Sequence, residues 1–301
     1  MNTGYSLKKV SLFILLALAL IGIPLTVYIA QRQQETRTGA QVVSEDSVVV
    51  IIDGQEYTKA DGRKIAEEYS DPSTVSAGGL SVALDILIER KILDKAEKDL
   101  SIQIDQASVN NFIQAGFSET DARYETLREQ VILKAVKSRR AESLRFWNPP
   151  ETTLNSLTSE EKTAAEAQLS DGIPALTEAE SRMRQGEDIF TIGDSLLVKY
   201  PTLVPVLGVN GYILSGMDQF DRAEAKIPPI YEFGDSNLDN DTLDKLFSLN
   251  AGEAGLITET DGNRGGSVFK LIEIGNPQGL VSYDTWFSQQ EVSLVKVINP
   301  L

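Results

Sequence analysis

LDILIERKILDKAEKDLSIQIDQASVNNFI, residues 84–113, carries the clearest periodic signal in the chain. Leu80, Leu84, Ile88, Ile92, Ala96 and Leu100 recur at every fourth position, Leu87 and Leu93 widen the stripe, and Lys91, Asp94, Lys95 and Lys98 stand opposite. This spacing predicts an amphipathic helix over 80–100 with one face in a core. After a short connection, Asp105 suits the cap of a second helix carrying Val109, Phe112 and Ile113 inward, which Gly116 closes.

Upstream, residues 47–52 are a β-branched run, Asp53-Gly54 is a tight-turn signal, and 55–58 can return as a second strand. Residues 59–69 have a helical pattern, broken by Asp71-Pro72-Ser73 and Gly78-Gly79. Downstream, Ser118 to Asp121 has the spacing of a capping box. A long helix through Tyr124, Leu127, Val131, Val136 and Leu144 is expected to follow, until Asn148-Pro149-Pro150 stops it. Residues 48–147 thus read as a hairpin followed by amphipathic helices that share one core.

Beyond the prolines, 159–169 and 176–184 are helical in pattern. Gly186 reads as a C-cap before a helix with Ile189, Ile192, Leu196 and Tyr200, which Pro201 and Pro205 end. Residues 212–214 are strand-like, and 223–240 read as a Pro-, Gly- and Asp-rich loop. Leu256-Ile257 and 268–274 flank the turn from Asp261 to Gly266 as strand, turn and strand.

Residues 10–30, VSLFILLALALIGIPLTVYIA, carry no charge, and at 1.5 Å per residue they span roughly 30 Å, the thickness of a hydrocarbon core. Tyr28 at the −3 place and the length of the run argue for a retained anchor over a cleaved leader. The expectation is a single-pass protein of the cell membrane, with residues 1–9 as a cytoplasmic tail, 31–47 as a tether and the bulk of the chain outside the cytosol.

The chain has 301 residues, with 44 acidic against 28 basic side chains and a formal charge of −16, which repels a phosphate backbone and argues against nucleic acid as a partner. It holds neither cysteine nor histidine, so thiol chemistry, disulfides, Cys/His zinc sites and histidine-based triads are excluded. Asp235, Asn237, Asp239 and Asp241 imitate the start of a calcium loop, but Asn240 stands where glycine is needed and Leu246 where the bidentate glutamate belongs. No metal and no cofactor is expected.

The order of these parts resembles the membrane-tethered foldases outside the cytosol: SurA- and trigger-factor-like chaperones, PrsA and PpiD, with their parvulin modules. The opening VVVIIDGQEYT (48–58) and the helical stretch 84–113 are similar to the start of their chaperone domain. RQGEDIF (184–190), LFSLNAGE (246–253) and the strand over 265–274 resemble parvulin elements, and 283–298 resembles the helix and strand that return to the chaperone domain.

The resemblance implies an α+β chain: a transmembrane helix, a mostly helical SurA-like domain over 48–147 completed by 281–301, and a divergent parvulin-like domain over 150–277. The function it implies is chaperone or foldase action on unfolded secreted or envelope polypeptides. Parvulin rings begin with a histidine-bearing strand and end on a second histidine. This chain has neither, and Pro149 to Leu157 offers no first strand. Prolyl isomerisation needs no nucleophile, since twisting and desolvating the amide in an apolar groove lowers the barrier, so peptidyl-prolyl isomerase activity stays open. By resemblance, Met217, Phe220 and Phe247 would line such a groove; the plainer reading places them in a core. A non-catalytic scaffold for another envelope protein is the third possibility.

Overall fold

The computed structural model describes residues 44–69, 77–235, 238–258 and 265–298. The tail 1–9, the apolar stretch 10–30, most of the tether, the break at Asp71-Pro72-Ser73 and the turn over 261–264 lie outside the described residues. Among the described residues, no helix is long and apolar enough to cross a membrane. The chain divides into two units, Met1–Ser47 and Val48–Leu301. In the first, the Ser47 N–H donates to the Ser44 carbonyl at 2.9 Å and closes a short turn.

In the second unit, β1 (Val48–Ile52) and β2 (Gln55–Thr58) form the expected hairpin. Asp53 and Gly54 take φ of 49° and 79°, the left-handed pair that this two-residue turn requires. Four helices follow: α1 (Lys59–Tyr69), α2 (Ala77–Asp99), α3 (Gln106–Gln114) and α4 (Glu119–Ala135). Asp105 caps α3 by accepting from the Ala107 and Ser108 N–H groups, and Ser118 caps α4 by accepting from the Asp121 N–H. Val109 and Phe112 are buried as expected, whereas Ile113 is exposed, because the small cluster with Ala122 is filled by the first two.

The helix expected to reach Asn148 ends at Ala135, and Ser138–Phe146 is a strand, β3. Val136 turns extended and bridges Leu280, and the Lys137 N–H donates to the Leu280 carbonyl at 2.8 Å, so the chain leaves the helix through contact with a distant segment. The strand β3 thus precedes Pro149 and Pro150, and in the sequence its residues read as the end of a helix.

After a short helix α5 (Glu151–Leu154) come α6 (Ser159–Arg184) and α7 (Ile189–Lys199). The two helices expected at 159–169 and 176–184 are this one helix, which runs on through Gly172 and Pro174. Its glycine is a close-approach site, since a Cβ there would lie 2.5 Å from the Phe146 ring. Then follow β4 (Leu207–Val209), β5 (Tyr212–Ile213), α8 (Gln219–Glu224), β6 (Ile230–Glu232) and α9 (Asn240–Ser248). The strand β6 lies inside what reads as loop over 223–240. The chain closes with β7 (Ala254–Thr258), β8 (Gly266–Ile274), α10 (Tyr283–Leu294) and β9 (Val295–Val297).

The architecture is mixed α+β with two sheets. One has the order β2-β1-β9, so the C-terminal strand returns to the opening hairpin. Val50, Ile52, Ile92, Leu127, Val131 and Trp286 form the core beneath it. The other has the order β5-β4-β3-β8-β7, with β6 paired to the start of β3. Alternation along β3 sends Leu144 and Phe146 toward α6 and α7, where they pack with Leu176, Met183, Ile192 and Val268. On the opposite face Ala141, Phe269 and Leu271 pack with Leu246 and Leu249 of the α9 region.

Candidate functional site

The face of the larger sheet away from α6 and α7 holds a polar centre. Ser143 is buried there, near the middle of β3. Its N–H donates to Asn210 Oδ1 at 2.7 Å, and the Asn210 N–H donates back to the Ser143 carbonyl at 2.8 Å. Asn210 is fixed in turn by its own Nδ2, which donates to the Ala225 carbonyl at 2.7 Å. It sits in the β4–β5 turn at φ 49°, followed by Gly211 at φ 93°, the left-handed region that favours Asn and Gly.

Tyr231 of β6 donates its O–H to Ser143 Oγ at 3.2 Å and meets the Phe269 ring edge-on at 5.4 Å. Burial pushes the Tyr231 phenol up to about 12, against the pull of the Ser143 hydrogen bond and of Arg145, so it stays neutral. An amide and a neutral phenol take no proton at neutral pH, so Ser143 has no base to make it a nucleophile. These hydrogen bonds are made within the cluster, and what they do is pin β3 to the β4–β5 turn and to β6.

The three residues expected to line a groove fall in different places. Met217 is half-buried against the core of α6 and α7. Phe220, on α8, is 50% exposed, with its ring 3.5 Å from where a Cβ on Gly116 would stand. Phe247, on α9, packs against the core on the other sheet face and meets Phe233 edge-on at 5.3 Å. Met217 and Phe247 thus belong to different clusters.

Sequence reasoning missed Ser143, Asn210 and Tyr231, which are separated by 67 and 88 positions and share no local motif. It also missed an open depression of about 600 Å³ on α10, lined by Asp284, Thr285, Ser288, Gln289 and Val292. The signal there was Val292, an apolar residue one turn beyond Ser288 on an otherwise polar face.

Among the described residues, no group of three acidic side chains is placed to hold a metal ion. Asp239, part of the apparent calcium loop, serves as the cap of α9 and accepts from the Thr242 N–H at 2.8 Å. Asn237 of that loop lies outside the described residues.

No family model matches the chain, and no curated protein matches it. Among solved structures, the chain is similar to one from a study of PEB4 and Cj1289, described as SurA-like chaperones of Campylobacter jejuni. The match covers 84% of this chain and 100% of that one at 10% identity. Its TM-score is 0.25, and at that level the likeness carries no argument about fold or function.

Proposed function

We propose that this chain is a membrane-anchored chaperone outside the cytosol, which holds unfolded polypeptides by exposed apolar side chains. The observation that carries this reading is Phe220, half exposed on α8 where that helix packs against α3, with Ile113 of α3 also exposed. An aromatic ring left open in this way gains about 25 cal/mol for each Å² of apolar surface that a client covers. The net charge of −16 keeps such a complex soluble.

The apolar stretch 10–30 supports the anchor, and the pairing of β9 with β1 supports a chaperone domain that runs from residue 48 through α4 and is completed by 281–301, with β3 belonging to the larger sheet. The segment 150–277, together with β3, is then the divergent parvulin-like module. Light scattering of a chemically unfolded client diluted into buffer tests the holding role. The chain is expected to suppress aggregation at near-stoichiometric ratios, and a client that aggregates at its uncatalysed rate overturns the reading. Extraction of membranes at alkaline pH tests the anchor, which fails if the intact chain appears in the soluble fraction.

A second reading, an active prolyl isomerase, rests on the exposed Phe220 ring as apolar surface against which an amide could be desolvated. A protease-coupled assay on X-Pro peptides decides it, and a rate equal to the uncatalysed one discards it.

A further inference from the structure

Arg139, near the start of β3, is 8% exposed, yet its guanidinium meets no carboxylate among the described residues. Its Nη1 donates to the Ser138 carbonyl at 2.9 Å and its Nη2 to the Phe247 carbonyl at 3.4 Å, while its Nε is buried without a partner. Burial alone pushes its pKa down, with no anion opposing. The next residue is the contrast: Arg140, on the other face, meets Glu129 at 3.0 Å and Glu273 at 3.9 Å. In a chain with 44 acidic side chains, a buried arginine left without one calls for an explanation.

Around it stands an aromatic and cationic cluster. The Arg139 guanidinium lies 4.7 Å from the Phe247 ring centre. Lys137 Nζ lies 3.3 Å from the Phe233 ring centre and 5.8 Å from that of Phe247, and it too forms no ion pair among the described residues. Phe233 is 38% exposed, and Ile274, the register partner of Arg139 on β8, is 43% exposed. Two cations thus sit beside apolar surface that is open to solvent.

We propose that Lys137, Arg139, Phe233 and Phe247 form a receiving site for the carboxylate of an Asp or Glu side chain in an extended polypeptide, with the residue next to it covering Phe233 and Ile274. Charge complementarity selects the anion: a carboxylate supplies an acceptor for the Lys137 ammonium and a counter-charge beside the Arg139 guanidinium, and charge-assisted hydrogen bonds are the strong ones. The exposed rings select an amphipathic ligand over a free inorganic ion. The burial of Arg139 selects a side chain over the planar headgroup layer of a bilayer.

The proposal names the class of segment that the chaperone takes and so rests on that reading, but it is measured separately. Fluorescence anisotropy of the 301-residue chain with the end-blocked, labelled peptide Ser-Gly-Val-Asp-Phe-Val-Gly-Ser is compared with its Asn counterpart. The expected result is binding of the Asp peptide, about tenfold or more weaker for the Asn peptide and for the variants Lys137→Gln and Arg139→Met. Equal binding of the two peptides, absence of binding, or indifference to both variants overturns the site. So does a Lys137-dependent affinity for phosphatidylglycerol vesicles without peptide binding, which would make it a lipid contact. If Arg139→Met fails to fold, the peptide pair and Lys137→Gln still decide. A negative result here with aggregation still suppressed removes this site and leaves the chaperone reading standing.

Discussion

Tyr283 donates its phenolic proton to Glu89 across 194 positions of sequence, at 3.1 Å. The same carboxylate accepts from Arg128 at 2.8 Å, and the Tyr283 N–H donates to the Glu232 carboxylate at 2.7 Å. One residue therefore ties α10 to α2 through its side chain and to β6 through its backbone, so it joins the elements around both sheets. Burial and the nearby Glu89 hold the phenol well above its ordinary pKa, so it remains a donor. Removing it leaves Glu89 with Arg128 but short of one buried partner. Tyr283→Phe is expected to lower stability by about 1–2 kcal/mol. The check is a lower urea midpoint with an unchanged slope.

Asp85 on α2 gives a pH dependence of a definite sign. Burial, and then the carboxylate of Glu291, push it up to about 7. Its folded pKa lies above the unfolded value near 4, so its contribution is fully present below about pH 4 and is lost as pH rises through about 7. Glu129 acts in the same direction: burial pushes it up to about 7 despite the pull of Arg140. Asp85→Asn is expected to stabilise the chain at pH 8 by on the order of 2 kcal/mol and to change little at pH 4. Thermal melts of both proteins across this range check it, and a gain that is equal at both ends rules out the titration of Asp85 as its source.

Gly172 tests whether local propensity or packing decides at the middle of α6. Replacing a helical glycine by alanine normally gains about 1 kcal/mol. Here the new Cβ would stand 2.5 Å from the Phe146 ring, which is fully buried. Overpacking of this kind costs about 1–3 kcal/mol. Gly172→Ala is therefore expected to be destabilised by about 1 kcal/mol net, and Gly172→Ala combined with Phe146→Leu should recover part of it. The pair of urea midpoints checks the coupling.

What could be read in the sequence was local. Asp53-Gly54, Asp105 and Ser118 act within three residues of themselves, so their turn and caps follow from the residues alone. β3 could not be read, because Val136 and Leu144 extend the period of α4, and Ser138–Phe146 holds Arg and Glu side chains suited to a helix. Its strand state comes from β8, β4 and β6, all later in the chain. Gly172 and Pro174 misled in the opposite sense, since α6 is held by the sheet beneath it and not by its own propensity. The polar centre of Ser143 and the cluster of Arg139 share the second difficulty: each is assembled from strands and loops distant in sequence, and no spacing announces it.

Phe220 and Phe247 test whether a ring serves binding or packing. Its ring is half exposed, so truncation removes little buried area, and Phe220→Ala is expected to leave the melting temperature within about 2 °C. Phe247 packs with Leu246, Leu249 and Phe269, and Phe247→Ala should cost about 2–3 kcal/mol by leaving a gap beside that core. If clients are held at the α3–α8 contact, Phe220→Ala lowers the suppression of aggregation several-fold at unchanged stability, whereas Phe247→Ala lowers stability first. Light scattering and melting of the two variants side by side check this. Full suppression by Phe220→Ala would remove that ring from the client surface and leave Val292 and the depression on α10 as the apolar surface to be mutated next.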